Sequence, residues 1–226
     1  MPATCPPSIA LVAALALSAV VFPAEGAGAA EAILFDRDNC TGKYRMIDRS
    51  ISDFDDIEFN DRVNSLMVIT GSFKFYRDDD YEEDSGPSFL LGPSGYQDTC
   101  WSLQDASLGK FPVNRMSSAE LIADTPAPQP KGIAILYEKV NFQGNYRILT
   151  RSVSNFDAIG FDNEVESVRV IKGGWFFYRD ANFGAPPGRP AIGLAPGDYP
   201  DIQSLPDQLH DYFPRNLMSS AKVFGF

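Results

Sequence analysis

The sequence matches itself at an offset of 102 residues, and this internal repeat constrains the fold more than any other feature. Ala32-Ile33-Leu34-Phe35 falls on Ala134-Ile135-Leu136-Tyr137, and the register runs without a gap to Asp78 on Asp180, with 23 of 47 pairs identical. It resumes where Met116-Ser117-Ser118-Ala119 falls on Met218-Ser219-Ser220-Ala221. The 226 residues therefore divide into homologous units of about 90 residues, 32–122 and 133–226. Residues 123–132, with Pro126, Pro128 and Pro130 alternating, read as a short, semi-rigid linker.

The first thirty residues stand outside the repeat. Ile9 to Phe22 is an uncharged run of apolar or small residues, too short to span a bilayer, and is followed by Pro23 and small residues that include Ala27-Gly28-Ala29-Ala30. Residues 1–30 are expected to be a secretory signal peptide. The first Lys or Arg is Arg37, so a basic leader segment is missing, and a disordered tail or an uncleaved anchor stays open. Export would place the protein in an extracellular or periplasmic, oxidising compartment, with no membrane insertion after cleavage and with Cys40 and Cys100 left in the mature chain.

Within each unit the apolar pattern is short or of period two, and no helical period is sustained. Candidate strands are Ala32 to Asp36, Lys43 to Ile47, Ser65 to Thr70 and Phe73 to Arg77, with counterparts one repeat later. Short strands separated by Gly42, Gly71 and Gly86 argue for an antiparallel sandwich. Each unit is also doubled within itself, because an aromatic, a polar loop and a second residue recur as Phe35 to Cys40, Tyr76 to Tyr81, Tyr137 to Phe142 and Tyr178 to Phe183. Gly42 and Gly144 stand seven residues after the first aromatic, whereas Glu83 and Ala185 hold that place in the trailing halves.

A second motif recurs in all four halves: Asn60-Asp61-Arg62-Val63-Asn64-Ser65, Val113-Asn114-Arg115-Met116-Ser117-Ser118, Asp162-Asn163-Glu164-Val165-Glu166-Ser167 and Arg215-Asn216-Leu217-Met218-Ser219-Ser220. With the aromatic hairpins, these stretches resemble the βγ-crystallin family, whose calcium-binding members carry Asn/Asp-Asn/Asp-x-x-Ser/Thr-Ser. The resemblance implies an all-β protein of two tandem domains, each a sandwich of two Greek key motifs. It also implies calcium ions as partners, held where the two loops of one domain exchange ligands.

The chemistry of the loops agrees with that expectation. Calcium takes six to eight oxygens from carboxylates, amides, hydroxyls, backbone carbonyls and water, more than one such loop can supply. The candidate side chains are Asn60, Asp61, Asn64, Asn114, Ser117, Asp162, Asn163, Glu166, Asn216 and Ser219. The third-place residues Arg62, Arg115, Glu164 and Leu217 complete the set, with a backbone carbonyl as the expected contribution. The fifth-place hydroxyl is replaced by Asn64 and Glu166 in the leading loops, and the opening Asn/Asp by Val113 and Arg215 in the trailing loops. One sound and one altered site per domain is the expectation. The competing reading is that Asn, Asp and Ser only cap turns.

Cys40 and Cys100 are expected to form an intradomain disulfide, with free thiols or an intermolecular bond as alternatives. At the repeat offset they fall on Phe142 and Ile202, which predicts an apolar contact at the same place in the second unit. The acidic run Asp78 to Asp84 loses its charge in the second unit and reads as a solvated loop. A formal charge of −11 disfavours nucleic acid as a partner. The single His210 lacks a nucleophile motif, and no phosphate loop or zinc pattern occurs, so no enzyme is expected. A secreted, calcium-binding protein with a structural or stress-protective role is the leading expectation. The alternative is a binding effector, an inhibitor or toxin using an exposed loop such as Pro186 to Pro190 to reach a protein or cell-envelope target.

Overall fold

A computed structural model describes residues 30–84, 86–93, 99–108, 111–124, 130–185, 191–205 and 216–224. The leader, most of the Pro-rich linker, the Pro186 to Pro190 loop and His210 lie outside the described residues. The first half runs β1 (Glu31–Arg37), β2 (Thr41–Ile47), β3 (Ser65–Thr70), β4 (Ser72–Tyr76), β5 (Ser88–Leu91), β6 (Trp101–Ser102) and β7 (Ser118–Ala123). The second half runs β8 (Ile133–Lys139), β9 (Gln143–Leu149), β10 (Ser167–Lys172), β11 (Gly174–Tyr178), β12 (Ile192–Leu194), β13 (Gly197–Tyr199) and β14 (Ser220–Phe224). The helical elements among the described residues are short 3-10 turns.

Each half is a sandwich of a four-stranded and a three-stranded antiparallel sheet, in the orders β2-β1-β3-β6 and β5-β4-β7, then β13-β10-β8-β9 and β12-β11-β14. The two motifs of a half are interleaved. In domain 1, β6 of the trailing motif joins the leading sheet by pairing Trp101 with Leu66, while Ile51 of the leading motif bridges to Ala119 on β7. Domain 2 repeats this with Tyr199 on Val168 and Val153 on Ala221. Each domain is a pair of Greek keys that cannot close its core without both motifs.

The cores follow from strand alternation. Leu34, Leu66, Phe54, Phe73 and Phe75 pack inside domain 1, and Leu136, Val168, Phe156, Trp175 and Phe177 inside domain 2. The Ile33, Phe35, Met67 and Ile69 side chains point to the other face of β1 and β3, and they too are buried. They meet Ile133, Ile135, Tyr137 and Ile171 in a third apolar cluster between the halves. The unbroken apolar runs Ala-Ile-Leu-Phe and Leu-Met-Val-Ile arise because these strands have no solvent face. By contrast, β4 alternates buried and half-exposed residues, since only one of its faces is covered.

Polar contacts pin the same interface. Tyr137 donates its hydroxyl to the Cys40 carbonyl at 2.8 Å, and Lys172 donates to Glu31 Oε1 at 2.9 Å. Burial raises the Glu31 carboxyl above its ordinary pKa, against the opposing pull of Lys172. Burial likewise pushes the Tyr137 phenol up.

Cys40 and Cys100 form a disulfide with Cα atoms 5.9 Å apart. The expected counterpart of this cross-link needs correction. Pairing of Leu66 with Trp101 and of Val168 with Tyr199 shows that β6 and β13 correspond at an offset of 98, not 102 (199 − 101 = 98). The chain leading to β6 is four residues longer (102 − 98 = 4), so Cys100 corresponds to Asp198 rather than Ile202. Ile202 instead packs in the domain 2 core, and Phe142 packs against the interface cluster.

The hairpins explain where glycine is needed. Gly42 and Gly144 have φ of 78° and 82°, and a Cβ there would run into Asp36 or Glu138 as the chain folds back over the hairpin. In the trailing motifs Glu83 and Ala185 are not among the residues with positive φ, so no glycine is demanded there.

Candidate metal centre

The second residue of each of the four loops adopts left-handed backbone: Asp61, Asn114, Asn163 and Asn216 have φ between 52° and 57°. Asn and Asp tolerate that conformation better than other residues with a Cβ, so loop shape alone accounts for part of the motif. The last residue is equally committed to the fold. Ser65, Ser118, Ser167 and Ser220 are fully buried, and each Oγ bridges a hairpin. Ser118 accepts from Tyr81 N at 3.3 Å and donates to the Asp78 carbonyl at 2.7 Å, and Ser220 accepts from Phe183 N at 3.1 Å and donates to Asp180 at 2.7 Å. Ser65 and Ser167 do the same for the Cys40 and Phe142 amides.

The leading and trailing loops of each domain lie against one another. Asp61 and Asn163 donate backbone N–H groups to the Met116 and Met218 carbonyls at 3.2 and 3.1 Å. Phe54 and Phe156, each opening a 3-10 turn, donate to the Ser117 and Ser219 carbonyls at 2.8 Å. Asp53 and Asn155 cap those turns by accepting from the Asp55 and Asp157 amides. Ser117 is thereby held beside Asp61, and Ser219 beside Asn163, across more than fifty residues of chain.

In domain 2 this arrangement surrounds a cavity of about 370 Å³ lined by Asn155, Asp162, Asn163, Arg179, Asp180, Ala181, Leu217 and Ser219. Oxygen chemistry dominates its side chains. Asp162 Oδ2 accepts from Asn163 Nδ2 at 2.8 Å, while Asp162 Oδ1 is buried with no hydrogen-bond partner. Ser219 Oγ lies 3.5 Å from Asn163 Oδ1. A buried carboxylate oxygen without a donor is costly, and a carboxylate, amide and hydroxyl together are a set that a hard cation can use. Among the described residues no three His, Cys, Asp or Glu side chains converge; the polar groups at this cavity are carboxylate, amide, hydroxyl and the Arg179 guanidinium. In domain 1 the equivalent atom, Asn60 Oδ1, is likewise buried without a partner.

The remaining candidates are spread around these loops. Arg62, Arg115 and Glu164 are exposed, and Arg62 donates to the Glu58 carbonyl at 3.4 Å. Asn64 and Asn114 are hydrogen-bonded to each other at 2.8 Å, and Asn216 donates to Glu166 at 3.4 Å. Asn155 and Asp180 line the cavity although the six-residue motif does not include them. The signal for Asp180 is its place inside the aromatic hairpin, two residues after Tyr178, where Asp78 follows Tyr76 in domain 1. There Arg77 pairs with Asp78 at 3.0 Å, and Lys74 pairs with Glu83, so the acidic run is partly neutralised within its own hairpin.

The Beta/Gamma crystallin family model matches residues 31–111 and 134–219. A beta/gamma-crystallin of Ciona intestinalis is 39% identical over 70 residues, covering 31% of this chain and 79% of that protein. Human beta-crystallin A3 is 26% identical over 148 residues, 65% of this chain and 64% of that protein. Among solved structures, the Ciona crystallin matches 41% of this chain and all of its own at 33% identity and a TM-score of 0.36. Protein S, solved in complex with calcium, covers 86% of this chain and 99% of its own at 17% identity and a TM-score of 0.34. The repeated sequence motifs, the interleaved Greek keys and the family match over both halves agree, and the chain belongs to the βγ-crystallin family.

Proposed function

We propose that this is an exported calcium-binding βγ-crystallin in which the ion is held between the paired loops and stabilises the folded domain. The observation that carries the reading is that Asp162, Asn163 and Ser219 line one cavity, with Asp162 Oδ1 buried and without a hydrogen-bond partner. Asp162, Asn163 and Ser219 are the side chains proposed to hold the ion, with water completing the shell. Asn60, Asp61 and Ser117 are their counterparts in domain 1. Export is supported by the leader-like segment and by a disulfide, which persists in oxidising compartments. Affinity on the order of 0.1 to 1 mM suits a module working in calcium-rich surroundings. Binding to the folded state alone then adds about 2.7 kcal/mol of stability at a hundredfold excess over Kd, which is the proposed structural role.

The test is calorimetric calcium titration of the protein, with melting curves in calcium and in chelator. Heat on titration and a higher melting temperature in calcium are expected. Ser219→Ala should weaken the domain 2 site by about tenfold, roughly 1.4 kcal/mol, while leaving domain 1 unchanged. Absence of both heat and a melting shift in the unmutated protein overturns the reading.

A further inference from the structure

The fifth place of the leading loop in domain 1 has a polarity that a cation site cannot use. Asn64 Nδ2 donates to two oxygens from distant parts of the chain, the Asp36 backbone carbonyl and Asn114 Oδ1, each at 2.8 Å. A backbone carbonyl only accepts, so the Asn64 amide must present its nitrogen there, and Asn114 must present its oxygen in turn. Two hydrogens meet two acceptors, and the nitrogen has no lone pair to offer a metal. The oxygens gathered around it come from the aromatic hairpin and from the partner loop, the two segments that paired-loop ligation would join.

Domain 2 shows the opposite polarity at the same place. Glu166 accepts there, from Val140 N at 3.3 Å and from Asn216 Nδ2 at 3.4 Å. An acceptor at position 166 can face a cation, whereas the donor at position 64 takes the place of one.

We propose that the Asn64 amide is a built-in surrogate for the cation. It ties the Asp36 hairpin to the trailing loop without metal and closes the fifth place of this loop, beside Asn114, to calcium. Turning the amide to offer its oxygen would break both 2.8 Å hydrogen bonds and bring the acceptor atoms face to face. The chain's response to calcium is therefore confined to the sites that do not use position 64. This inference rests on the calcium reading for the chain as a whole, but its test compares variants with the unmutated protein and does not depend on how many ions that protein binds.

Asn64→Ser restores the hydroxyl found at Ser117 and Ser219, and Asn64→Asp is nearly isosteric and replaces the donor by an acceptor. Bound calcium per chain is counted by equilibrium dialysis with radioactive calcium, and melting is followed in chelator and in calcium. Each variant is expected to bind one more ion per chain than the unmutated protein, to melt lower in chelator and to recover in calcium. Should the Ser variant fail to fold, the Asp variant carries the test. A stoichiometry unchanged in the folded variants overturns the proposal, as does displacement of the Asn64 side-chain amide NMR signals by saturating calcium in the unmutated protein. Failure of the cavity reading is seen separately, as Ser219→Ala binding calcium like the unmutated chain.

Discussion

In domain 1 the first hairpin is tied to β6 by the Cys40–Cys100 disulfide, with Met67 beside it in the interface cluster. At the corresponding places domain 2 carries Phe142, Asp198 and Arg169. Arg169 is 2% exposed, donates to both Asp198 carboxylate oxygens at 2.7 and 2.9 Å, and lies over the Phe142 ring at 4.7 Å. It also lies over Tyr44 of domain 1 at 5.4 Å. A covalent tie in one copy is thus answered by a charge-assisted fork and two cation–π contacts in the other. The comparison teaches that the hairpin must be fastened to this strand, and that the fastening chemistry is free to differ. A disulfide constrains the unfolded chain and needs no solvation balance, while a buried guanidinium depends on every partner around it.

Removing the covalent tie should have the largest effect. Cys40→Ala with Cys100→Ala opens a loop of 60 residues, worth about 4 kcal/mol in the chain-entropy model, and denaturant unfolding should show the loss in domain 1 first. Equal loss in both halves would break the comparison and make the disulfide a fastener of the whole molecule. Next comes Asp198→Ala, which strands a buried Arg169. The cost should be about 2 to 3 kcal/mol, below that of a fully buried pair because the Asp198 side chain is 48% exposed. Adding Arg169→Met, which copies Met67, should return part of that loss; a double variant as unstable as Asp198→Ala would show that the charge was not the problem.

The smallest effect concerns Glu31, whose counterpart Ile133 is apolar. Burial raises the folded pKa of Glu31, so its favourable contribution is fully present below the ordinary value of 4.5 and is lost as pH rises through the elevated one. Glu31→Gln should flatten that part of the pH–stability profile and change stability at neutral pH by less than about 1 kcal/mol, because lost Lys172 pairing and relieved desolvation oppose each other. A steeper profile in the variant would reverse the sign assigned to this group.

Much of this architecture was legible in the residues. The gap-free repeat marks β1 to β4 and β8 to β11, and the Gly42 and Gly144 spacing marks hairpins that fold back on themselves. The second-place Asn and Asp were legible as loop residues, and their left-handed backbone explains why both the metal reading and the capping reading fitted them. The domain interface also had a signal, since Ile33, Phe35, Met67 and Ile69 are apolar where a solvent-facing strand would alternate. The correspondence of Cys100 with Asp198 was not legible, because the longer loop before β6 shifts the offset and only strand pairing reveals the shift. Nor was the part played by Asn64: composition names an amide, and only its neighbours decide whether oxygen or nitrogen faces the loop.

By itself the sequence determined two copies of a short-stranded, doubled motif and the residue types in its loops, because strand period and glycine placement are local properties of the chain. Tertiary structure alone decided that the leading sheets pack face to face, that Asp162 and Ser219 share a cavity, and that Asn64 presents a donor to Asp36 and Asn114. Those outcomes depend on segments tens of residues apart meeting at angstrom precision, and on the burial that makes each unpaired oxygen or charge count.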